Sequence, residues 1–147
     1  MPALMKFLHI AAAITWLGGV SFMLFALRPA ATQLPPPQRL PLIAQVLRRF
    51  FGLVWPAVAI LLLTGLAMLL RVGMKNAPLG WHLMLGLGLL MFALFGHLYF
   101  GPFRRLKQAV SAANWPEGGR RVGQIATLAM INLALGALAI AAVVFLV

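Results

Sequence analysis

His9, His82 and His97 are the residues of this 147-residue chain best equipped for chemistry, because acidic and thiol side chains are almost absent. A single acid, Glu117, stands against 12 Lys+Arg, and there is no cysteine. One carboxylate makes no pair for glycoside hydrolysis or general acid–base work. It builds no oxygen cage for Ca²⁺ or Mg²⁺ and no intramembrane acid relay for a proton-coupled pump. Without thiols there is no Fe–S cluster, no Cys-zinc site and no disulfide framework. Hydrolase and transferase chemistry is remote, and no catalytic residue can be named. Three imidazoles and the thioethers of 8 methionines remain. They suit redox metals.

The elements that must position them are membrane helices. Hydrophobic residues make up 63% of the chain and charged residues 9%, whereas a soluble domain carries about 25% charged residues. Four runs are long enough to cross a hydrocarbon core of about 30 Å: 7–27, 50–70, 80–101 and 122–147. They predict an all-α fold, an integral membrane four-helix bundle forming a single membrane domain over residues 1–147. The loop between spans one and two carries, with its flanks, Arg28, Arg39, Arg48 and Arg49, and the loop between three and four carries Arg104, Arg105, Lys107, Arg120 and Arg121. Only Lys6, Arg71 and Lys75 lie on the other side. The positive-inside rule then predicts both termini outside. Basic residues confined to membrane flanks point to anionic lipid headgroups as partners, not to nucleic acid.

Local patterns refine the loops. Leu40, Ile43, Val46, Leu47 and Phe50 recur at helical spacing, so Arg39–Arg49 is expected as a short amphipathic helix running into span two. Span three is expected to continue past Pro102 into a basic segment that ends at a turn over Trp115–Gly119. His9 and His82 are 73 positions apart, as are Arg48 and Arg121, which hints at an internal duplication.

Histidine within hydrocarbon is a functional candidate by default. His9 and His82 are expected in the first turns of parallel helices, at matching depth near the outer face. His97 lies 15 residues beyond His82, about 22 Å further along the axis. Three histidines therefore cannot meet on one ion. The expected site pairs His9 with His82, lined by Trp16, Gly19 and Gly86, with His97 as a separate cofactor contact. Small residues on these faces leave space for either tight packing or a planar cofactor. Haem b on two neutral imidazoles is one reading, with Lys6, Arg71 and Lys75 near its propionates. Met5 shares a face with His9 at i, i+4, and thioether plus imidazole suits copper instead. Met68 and the other methionines read as apolar filler.

The stretch Leu8-His9-Ile10 through Trp16-Leu17-Gly18-Gly19 resembles the opening helix of the CopD-like copper-resistance membrane proteins. His82-Leu83-Met84 through His97-Leu98-Tyr99-Phe100-Gly101-Pro102-Phe103-Arg104-Arg105-Leu106 resembles their third helix and its exit. The resemblance implies the short four-helix form, in a bacterial-type inner membrane. A looser similarity links the chain to the HemJ-type membrane protoporphyrinogen oxidases, which bind haem b. These carry a lysine two residues after a histidine, where this chain has Met84 after His82.

Three functions stay open. One is a haem b membrane redox protein, possible as an oxidoreductase working with a quinone or a periplasmic redox partner. Another is a copper transport or copper resistance protein. The third is a non-enzymatic assembly subunit. Ala134, Gly136, Ala137 and Ala141 form a small-residue seam suited to close packing or a homodimer.

Overall fold

The computed structural model describes residues 2–146; Val147, the expected end of span four, lies outside them. The described residues are helical apart from short connections. In chain order, α1 (Pro2–Phe22) passes through a π-helical turn (Met23–Leu27) into α2 (Arg28–Ala31). Next come α3 (Pro36–Val72) and α4 (Leu79–Leu98). A second π-helical turn (Tyr99–Phe103) leads to α5 (Arg104–Ser111), and α6 (Trp115–Phe145) completes the fold. The four long helical runs are each long and apolar enough to cross a membrane. The chain is a multi-pass, all-helical membrane protein. Phe7, Ile14, Leu63, Leu70 and Leu79 point outward, as a lipid-facing surface requires.

The expected amphipathic segment and span two form one helix. α3 has 37 residues, so at 1.5 Å per residue it is about 55 Å long and outruns the hydrocarbon core. Its first turns, from Pro36, lay Leu40, Ile43 and Leu47 into the bundle while Arg48 and Arg49 stay exposed. α3 stops at Gly73, whose φ of 92° suits glycine and whose N–H caps the Leu69 carbonyl at 2.9 Å.

One expectation fails at Trp115–Gly119, which is the start of α6 and not a turn. Pro116 is pre-set for a first helical turn, and the Asn114 side chain accepts from the Glu117 N–H at 3.4 Å. The turn lies earlier, at Ala112–Asn114, where Ala113 has φ of 53°. Glu117 then anchors the basic end of the helix. Its carboxylate accepts from Arg121 Nε at 2.6 Å, while another nitrogen of the same guanidinium donates to Gln124 Oε1 at 2.8 Å. Arg121 is 8% exposed, so Glu117→Gln should lower the unfolding temperature of the solubilised protein. Arg120→Gln, on a side chain 4.0 Å from the same carboxylate and well exposed, should leave it nearly unchanged. A thermal melt of both variants checks this.

Packing divides the bundle into halves. α1 lies antiparallel along α3, and α4 lies antiparallel along α6. In the second pair Gly80 sits where a Cβ would strike the Ala142 carbonyl, and its N–H donates to Leu146 O at 3.2 Å. Asn132 on α6 reaches across to the Met91 carbonyl at 3.2 Å. The halves meet in part at Trp16 of α1, which stacks on Phe92 of α4 (centroids 5.8 Å, 20° between planes) and abuts Phe95 edge-on at 5.7 Å, and in part where Phe51 and Trp55 of α3 pack on Phe95 at 5.3 and 4.8 Å. The two π-helical turns begin 76 positions apart, at Met23 and Tyr99, as do the stacked Trp16 and Phe92. At that offset Lys6 corresponds in number to His82 and His9 to Leu85. Of the small-residue seam, Gly136 is buried against Leu17 and Met91, whereas Ala134 and Ala137 face outward.

Candidate functional site

One stripe of α1 faces the interior: Met5, His9, Ala12, Trp16 and Val20, spaced three or four residues apart. His9 stands on it opposite α3. Its Nδ1 lies 2.8 Å from Thr64 Oγ1, the only polar side chain between Arg49 and Arg71 apart from the indole of Trp55. Thr64 is itself committed, because its hydroxyl donates back to the Ile60 carbonyl at 2.6 Å. A hydroxyl has one proton and two acceptor lone pairs. In a neutral ring, Thr64 Oγ1 then accepts from the His9 Nδ1–H. Nε2 keeps its lone pair. A histidine whose second nitrogen is held by a neighbouring group is the usual form of a metal ligand.

Gly65 makes room for this ring. A Cβ there would stand 3.2 Å from His9 Cε1, tighter than ordinary packing. Met68, one turn beyond Thr64 on the same face of α3, is half-buried, as is Met5 one turn before His9. Sequence reasoning missed Thr64 and Met68. Thr64 carried a signal, as a lone hydroxyl in an apolar span; Met68 acquires meaning only from the helix register.

The other expected residues lie apart from this pair. α1 begins at Pro2, so His9 sits in its second turn rather than its first. His9 is seven residues from Trp16 and His82 ten from Phe92, which places His82 about 4.5 Å closer to the N-terminal end of the bundle. His82 is half-buried and His97 is exposed beside Gly101. Gly19 lies against the Phe50 ring, and Gly86 is exposed with open space around it. Trp16 is core, 2% exposed. Among the described residues no three of His, Cys, Asp and Glu converge.

A match to the copper resistance protein D family covers residues 44–146, from within α3 to beyond the end of α6. The chain belongs to the CopD family. No curated protein and no solved structure matches it. Membership favours the copper reading over haem b. The matched segment contains Thr64, Met68, His82 and His97, while Met5 and His9 precede it.

Proposed function

We propose that this CopD-family protein handles copper ions in the membrane, as a copper transport or copper resistance protein, with His9 as the primary ligand. The observation carrying this reading is the His9–Thr64–Ile60 relay. Its two short hydrogen bonds, 2.8 and 2.6 Å, suit a neutral imidazole that donates from Nδ1 and offers Nε2 to a metal. Copper here is cargo. A soft ion suits the neighbouring thioethers, and a neutral imidazole binds it without a buried carboxylate. With the basic loops in the cytoplasm by charge asymmetry, the His9 end of the bundle faces outward and receives copper from that side.

The test is copper content after growth in copper-supplemented medium, measured on purified protein. Wild type should retain copper, and His9→Ala should lose most of it. His97→Ala, on an exposed side chain, should match wild type, and His82→Ala should lose less than His9→Ala. Copper retained by His9→Ala at the wild-type level would remove His9 from the function.

A further inference from the structure

We infer that Met5, His9 and Met68 form one thioether–imidazole site selective for a monovalent soft ion, Cu(I) in the first instance; this rests on the copper reading and specifies its ligands. The argument begins with register. His9 and Thr64 touch across antiparallel helices. Met5 lies four residues before His9 and Met68 four after Thr64, so both stand one turn from the contact toward the same end of the bundle. Residues four apart on a helix have Cβ atoms about 5–6 Å from one another. Helical side chains incline toward their own N-terminus. His9 therefore leans toward Met5, and Met68, on the opposing helix, leans back toward Thr64. His9 and Met68 thus draw toward one level, Met5 inclines the same way as His9 and stays one turn beyond it, and the three rotatable bonds of the methionine side chain cover that gap. Both methionines are half-buried.

The chemistry of this donor set is narrow. One imidazole nitrogen and two thioether sulfurs suit Cu(I), which accepts three soft neutral ligands. Zn²⁺ prefers four ligands drawn from thiolate, imidazole and carboxylate, and this donor set contains one imidazole and neither anion. The second half of the bundle does not repeat the arrangement. At the 76-residue offset Leu85 replaces His9 and Trp81 replaces Met5. The bundle therefore carries this donor set once among the described residues.

Anaerobic titration of the purified protein with Cu(I) against a chromophoric chelator tests the assignment. Wild type should bind one Cu(I), Ag(I) should displace it, and Zn²⁺ should not compete. Met5→Leu and Met68→Leu keep side-chain volume nearly constant. Each should weaken binding about tenfold, and the double variant should weaken it further. X-ray absorption of the loaded protein should report nitrogen and sulfur neighbours, with one sulfur lost in Met68→Leu. One Cu(I) bound with unchanged affinity by the double variant would overturn the thioether site while leaving copper handling intact. A wild-type protein that binds no Cu(I) would overturn both.

Discussion

Trp16→Ala should destabilise the solubilised bundle by about 3–5 kcal/mol, the range for removing a large buried aromatic side chain. Trp16 is 2% exposed and is the contact through which α1 meets α4, by its stack on Phe92 and its edge-on contact with Phe95. Such aromatic pairs add about 0.5–1.5 kcal/mol beyond area burial. The site also borders empty space. Trp16 borders a cavity of about 60 Å³ between the long helices, lined in part by Met23, Leu47, Phe51 and Asn132. Asn132 Oδ1 is buried there without a hydrogen-bond partner. Truncation enlarges an existing void instead of letting neighbours close over a new one, and the cost of such changes rises with residual cavity volume. In membranes, helix association depends on this packing because lipid is as apolar as the core. Unfolding in mixed micelles with increasing denaturing detergent measures the effect, with Ile14→Ala on the exposed face as the control. A Trp16→Ala loss no greater than that of Ile14→Ala would mean that the halves are held together elsewhere.

The parts of this architecture written in single runs of sequence were legible, and the parts written between runs were not. Four spans follow from apolar length alone, and the inward stripe of α1 follows from the spacing of Met5, His9, Ala12 and Trp16. The pairing of His9 with His82 for haem arose from placing each histidine in the first turn of its helix and so at one depth. Depth is set by where each helix begins and by what it packs on. α1 starts five residues earlier than its apolar run, because Met5 and Lys6 continue the helix at no cost in propensity. His9 thus shifts inward relative to His82. The partner of His9 was hidden for a different reason. Thr64 lies within Leu61-Leu62-Leu63-Thr64-Gly65, where nothing local says which helix its face will meet. Only the antiparallel register of α1 on α3 joins them. The Trp115–Gly119 segment misled because Pro and Gly mark both turns and helix starts. Gly118 lies where a Cβ would be 2.9 Å from Leu40 Cδ1, so it serves close packing rather than chain reversal.

If His9 is the copper ligand, Thr64→Val should lower Cu(I) affinity by about 10–100-fold, the effect found when the group orienting a metal-bound histidine is removed. Valine preserves the branched shape and the packing against α1, so the change isolates the hydroxyl. Without Oγ1, the Nδ1–H of His9 loses its side-chain acceptor in a region poor in water, a loss of about 1–3 kcal/mol where no other acceptor takes its place. The imidazole then gains by turning over or by changing tautomer. Either response takes the Nε2 lone pair out of line with Met5 and Met68. Thr64→Ser retains an oxygen that can accept from His9 while donating to Ile60, and it should stay close to wild type. Gly65→Ala attacks the same geometry sterically. Its added methyl would stand 3.2 Å from His9 Cε1, so it should weaken binding with Thr64 intact. The measurement is the chelator competition used for the thioether variants. Thr64→Val binding as tightly as wild type, with Thr64→Ser also unchanged, would mean that His9 is held by α3 for packing and takes no part in coordination.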